Sequence, residues 1–167
     1  MNDIEKNQLI HKLFSSSVSA NEYKITDYQN HLFEQYKLYV EMADRVSNRR
    51  GLTNIFFATL NTTLLTAIVG FLNNNDRSVI VLHIAGILIC IIWGVLLRSY
   101  RNLNTSKFTV IGLLEEKLPA SVYWHGEWYA LGSGKDFKKY IPLGPIEIYI
   151  PIIYAVLFLI LFLAEFF

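Results

Sequence analysis

The sequence predicts an all-α integral membrane protein: an N-terminal amphipathic helix continuing into a transmembrane hairpin, a cytoplasmic helix with a turn-rich segment, and a C-terminal transmembrane helix. Three observations predict it. Residues 51–75, 78–97 and 148–164 contain no Asp, Glu, Lys or Arg, although the 167-residue chain carries 15 basic and 14 acidic side chains. Apolar residues make up 53% of the chain, above the roughly 45–50% of soluble domains, so the composition is part membrane span and part water-facing protein. The residues before the first uncharged stretch and those directly after the second keep a helical apolar period. A simple soluble globule is thereby excluded. The net charge of +1 argues against binding nucleic acid through bulk charge, and the single cysteine, Cys90, excludes a disulfide framework and a Cys-based zinc site.

Residues 1–50 are polar and carry seven Lys or Arg, unlike the short apolar core of a cleaved signal peptide. Within them, residues 27–50 contain no Gly or Pro, and Leu32, Tyr36, Tyr39, Ala43 and Val46 recur at heptad spacing. This amphipathic helix runs into the first span, about residues 53–72. Its seam can pack on the chain's own cytoplasmic part or on neighbouring subunits. Crossing about 30 Å of hydrocarbon takes roughly 20 helical residues, a length that the first span and the second, residues 79–97, both meet. Asn73, Asn74, Asn75, Asp76 and Arg77 form the tight polar turn between them, which makes the spans an antiparallel hairpin. Arg45, Arg49 and Arg50 precede the hairpin and Arg98, Arg101 and Lys107 follow it. The positive-inside bias therefore places both flanks, and the N-terminus, in the cytoplasm and the turn outside.

The second span is expected to continue as a helix through Leu103, Val110, Leu113, Leu114 and Leu118 until Pro119 stops it. Residues 119–146 are rich in Gly and Pro and hold Tyr123, Trp124, Trp128 and Tyr129, suited to capping helices, to the headgroup level or to gripping a soluble partner. The third span begins near Ile148, with Glu147 at the positive end of its dipole, and ends with Glu165, Phe166 and Phe167. Its uncharged run of residues 148–164 is short for a full crossing, so a shallow or re-entrant helix stands as the alternative. The chain thus divides into residues 1–52, 53–97, 98–146 and 147–167.

Candidate functional residues lie on the hairpin and just beyond it. Thr59, Thr62, Thr63 and Thr66 form a polar stripe with Gly70 and Asn73 on one side of span one. It fits either an interhelical contact or a wet axial pathway in a ring of subunits. Asn61, like Asn54 on the opposite side, needs a partner away from lipid, which favours a multichain bundle. On span two, His83, Gly86, Cys90 and Gly94 align as a small-residue groove; His83 reads as an interfacial histidine or a proton-sensitive one. Arg98, Arg101 and Lys107 would form a basic cytoplasmic mouth. Chemistry is harder to find. Gly132, Ser133, Gly134 and Lys135 mimic the end of a phosphate loop, but Tyr129 stands at the first glycine position and Asp136 replaces the required Ser or Thr. No close His pair suggests a metal, no cofactor is implied, and the chain is read as a non-enzyme.

The stretch Arg98, Ser99, Tyr100, Arg101, Asn102, Leu103, Asn104, Lys107, followed by Val110, Ile111, Glu115, Glu116, Leu118 and Pro119, then Tyr123, Glu127 and Trp128, resembles the RipA-like family of small bacterial inner-membrane proteins. The run of residues 36–50 fits as well, and the likeness covers roughly residues 25–155. The resemblance implies a homo-octameric ring in the cytoplasmic membrane, and a distant similarity to pore-forming accessory proteins of type VI CRISPR systems. Those relatives are discussed with HEPN-like residues, whereas no Arg precedes His125 in the required window here. Two functional readings follow: a homo-oligomer that forms or gates a pore, in stress adaptation or antiviral defence, or a non-conducting scaffold that docks a soluble cytoplasmic partner.

Overall fold

The computed structural model describes residues 3–14, 25–71 and 79–164, and among these residues there is no β-strand. Among the described residues six α-helices follow one another: α1 (Asp3–Leu13), α2 (Ile25–Phe71), α3 (Val79–Glu115), α4 (Trp128–Ala130), α5 (Leu143–Glu147) and α6 (Tyr149–Ala164). The expected polar turn, Asn73 to Arg77, and the C-terminal Glu165, Phe166 and Phe167 lie outside the described residues.

The amphipathic helix and first span are one rod of 47 residues, and the second span and its extension another of 37. At 1.5 Å per residue these measure about 70 and 55 Å, far more than a bilayer's hydrocarbon, so each helix projects well beyond the membrane. Helices α2, α3 and the pair α5–α6 (Leu143–Ala164, 22 residues) are each long and apolar enough to cross. Joining α5 to α6 therefore gives the third segment a crossing length of about 33 Å.

The two rods pack antiparallel in one unbroken register. Tyr36 bonds to Glu115, Ser47 to Asn104 and Asn61 to Cys90. From Tyr36 to Ser47 is eleven residues, as from Glu115 back to Asn104; from Ser47 to Asn61 is fourteen, as from Asn104 back to Cys90. The register thus holds over about 38 Å, from the end of the rods far from the membrane into the membrane-crossing part. The buried face of α3 explains it. Val79, His83, Gly86, Cys90, Trp93 and Leu97 alternate steps of four and three, a left-handed coiled-coil seam that resumes at Lys107, Ile111 and Leu114. The heptad seam of α2 meets it, with Leu32 and Ala43 buried, so that seam is covered by the chain's own α3.

Helix α6 completes a three-helix bundle by packing on α3, around a buried cluster of Ile68, Val79, Cys90 and Phe158. Most of the remaining surface at this level is apolar: Ile55, Phe56, Ile84, Ile91, Val95, Ile153 and Ile160 are all more than half exposed, as lipid or sister subunits require. At the boundary Arg50 meets Glu147 at 3.1 Å, tying α2 to the start of the third segment. Glu147 thus has a specific cation as well as a helix N-terminus. At the far end Lys6 of α1 pairs with Glu116 at 2.8 Å.

Candidate functional site

Each polar position on the hairpin finds a different environment. Thr59, Thr62, Thr63 and Thr66 are all exposed on the monomer. Thr63 and Thr66 return their hydroxyls to the carbonyls of Thr59 and Thr62, at 2.9 Å each, while Thr62 Oγ1 lies 2.8 Å from Tyr154 Oη of α6. The stripe therefore borders α6, which adds a phenolic hydroxyl that sequence periodicity had not paired with it. The hydroxyls of Thr62, Thr63 and Thr66 thus have partners within the chain, yet all four side chains remain on the outer surface.

Asn61 behaves otherwise. It is fully buried; its amide donates to Phe57 O at 2.7 Å and its carbonyl accepts from the Cys90 thiol at 3.3 Å. The expectation that it would need a sister chain is corrected: a cysteine on the neighbouring helix of the same chain serves, because Cys90 falls opposite it in the register. Asn54, one heptad earlier, accepts from Trp93 Nε1 at 2.9 Å, and the Trp93 ring is stacked by Phe57 at 5.8 Å. Trp93→Phe should leave the Asn54 carbonyl without that donor and lower hairpin stability by about 1–2 kcal/mol in detergent, measured by thermal unfolding; a variant melting with wild type would refute the pairing.

The predicted groove divides. Gly86 lies beneath Phe158 and could hold no Cβ without displacing the ring, whereas a Cβ on Gly94 would meet nothing within 4 Å. His83 is 1% exposed, packed within the bundle; its Nδ1 lies 3.0 Å from Val79 O and its ring packs edge-on to Phe162. The three basic residues also separate. Arg98 and Arg101 are exposed, but Lys107 is buried with its ammonium 4.5 Å from the centroid of the Tyr39 ring, a cation–π contact between α3 and α2.

Beyond the membrane, one carboxylate organises the turn-rich segment. Glu115, 1% exposed, accepts four hydrogen bonds of 2.9 Å, from Tyr36 Oη, Ser121 Oγ and the backbone N–H of Tyr123 and Trp124. The two N–H groups belong to the first turn of a π-helical segment, Val122–Glu127, which has no side-chain cap of its own; Glu115 supplies the missing acceptors from the end of α3. Burial pushes the Glu115 carboxyl up, but the N–H groups of Tyr123 and Trp124 with the hydroxyls of Ser121 and Tyr36 outweigh it and hold it below the usual range. Burial and the same carboxylate push the Tyr36 phenol up. Because Ser121 gives its proton to Glu115, the contact at 2.9 Å to His125 requires Nδ1 of that ring to carry hydrogen.

This anchoring brings the predicted aromatics onto α3. Trp124 lies against the bare backbone of Gly112, where a Cβ would come within 2.7 Å of the indole, and Trp128 lies against Gly134. The Gly132 to Gly134 run has positive φ throughout, including Ser133, and forms a tight turn. Between the aromatics and α3 is a cavity of about 460 Å³, lined among others by Arg50, Arg101, Asn104, Trp124, Glu127 and Trp128. Arg101 and the candidate docking residues Tyr123, Trp124 and Trp128 thus share one wall system, while Arg98 is outside it.

Sequence reasoning missed Glu115 and the Arg50–Glu147 pair. The available signal for Glu115 was its place four residues after Ile111 on the seam of α3, where a charge must find buried donors. No curated protein and no solved structure matches the chain. Residues 33–167 match 8xMP, the octameric membrane protein family, a span that holds the register, all three membrane-crossing helices and the Glu115 anchor; the chain belongs to that family.

Proposed function

We propose that eight copies of this chain form a ring in the bacterial inner membrane, which makes or gates a passage in stress adaptation or antiviral defence and carries no catalytic step. The observation that carries the reading is the exposed hydroxyl stripe of Thr59, Thr62, Thr63 and Thr66, bordered by Tyr154, on a surface otherwise apolar. A ring places that stripe against a neighbouring subunit or an axial pathway, and the family description supports eightfold assembly. Leu38 at 57% and Met42 at 41% exposure, one turn apart on the cytoplasmic part of α2, offer apolar area for the same neighbours. The basic flanks, Arg45, Arg49 and Arg50 before the hairpin and Arg98 and Arg101 after it, support a cytoplasmic N-terminus.

The test is release of dye and ions from liposomes holding the purified protein. Release should rise severalfold with protein and fall on Thr62→Leu or Thr66→Leu, with the oligomer retained. Leakage that never exceeds protein-free liposomes would overturn the conduit and favour the scaffold. Exposed Tyr129 and Phe137, at 80% and 69%, are the observation on the scaffold's side.

A further inference from the structure

We infer that the cavity between α3 and the aromatic segment is a phospholipid headgroup site, with the lipid phosphate at Arg101 and Arg50. Depth is the first argument. Arg101 lies four residues beyond Leu97, the last residue of the uncharged run, and Arg50 three residues before residue 53, where the first span begins, so the two guanidinium-bearing residues start about 6 and 4.5 Å outside the hydrocarbon. The headgroup layer is itself about 5–8 Å thick on each side. Both cations therefore stand at the level of the lipid phosphates.

Charge is the second argument. Arg50 already shares the Glu147 carboxylate, but Arg101 has no ion-pair partner among the described residues, and both line the same cavity. A phosphodiester would bridge them, since guanidinium groups favour phosphate oxygens with paired N–H donors. Shape is the third. The cavity's far wall, Gly112 with Trp124 on it, lies fifteen residues from Leu97, about 22 Å along α3 and clear of the lipid. A volume of about 460 Å³ takes the phosphate and its polar substituent, while the acyl chains stay in the bilayer. The substituent extends from Arg101 toward the aromatic wall of the cavity, for which hydroxyl-bearing glycerol or an ammonium is suited. The site stands whether or not the assembly conducts.

The experiment titrates the delipidated full-length protein in detergent with a short-chain phosphatidylglycerol, following tryptophan emission. Two of the three tryptophans line the cavity, and the third, Trp93, is buried in the bundle. A saturable shift is expected, weakened about tenfold or more by Arg101→Gln and unchanged by Arg98→Gln, which removes an equal charge nearby but outside the cavity. Equal loss in both variants, or no saturable shift, would overturn the site. Glycerol phosphate and inorganic phosphate are the parallel arms: saturation by either at the same concentration as the lipid would assign the phosphate to a soluble ligand and overturn the lipid assignment.

Discussion

Replacing Glu115 with alanine is expected to cost about 3–5 kcal/mol of stability in the half that projects beyond the membrane while leaving the membrane bundle folded. The side chain is 1% exposed and is the acceptor for four donors, which the substitution strands together. Water can reach some of them only if the π-helical segment lifts from α3. Trp124 would then leave Gly112, so near-ultraviolet circular dichroism should report the loss, whereas far-ultraviolet signal from the long helices should change little. Glu115→Gln keeps the size and one acceptor oxygen but points an amide at donors, and should fall between. The pH dependence has a definite sign. The carboxyl is held below its unfolded value, about 4.3, so its contribution is complete above that value and decays as pH falls through the folded one. The wild type should therefore loosen its aromatic segment on acidification below about pH 4, and Glu115→Gln should show a flatter profile. An Ala variant that melts with wild type would remove Glu115 from the account of the fold.

Gly86→Leu is expected to detach α6 from α3. Phe158, fully buried, occupies the space into which any side chain at residue 86 would grow. In lipid the contact is held by close packing rather than by the hydrophobic effect, so lifting the helix a few tenths of an ångström already forfeits much of it. Gly86→Ala should cost about 1–3 kcal/mol and Gly86→Leu more. Gly94→Ala, in the same predicted groove but with open space around its Cβ, should be close to neutral. Combining Gly86→Ala with Phe158→Leu should recover part of the loss. Additive effects of that pair, measured by thermal unfolding in detergent, would show that the two residues do not meet.

Much of this architecture is legible in one dimension. Charge-free runs mark where the chain can enter lipid, and heptad spacing marks the helix that leads into it. Pro119 and the glycines after it announce the end of α3, because hydrophobicity, period and backbone breakers are local properties. Partner choice is not local. The heptad seam through Leu32, Tyr36 and Ala43 is equally able to meet a sister chain or its own α3, and only the inter-helix register decides for α3. That register puts Cys90 opposite Asn61, and so removes the amide's need for another subunit. Gly86 and Gly94 are equivalent by spacing and differ only because Phe158 arrives from α6. The place of Glu115 on the seam of α3 calls for buried donors, but their identity is settled only when the chain returns after Pro119 and presents its uncapped N–H groups. Amino-acid order by itself determined the long helices and which of them can cross a bilayer, though not α1 or the π-helical turn after Pro119; the tertiary structure alone decided which polar groups are spent within one chain and which remain outward, because hydrogen bonds and close packing depend on positions in space that no single helix defines.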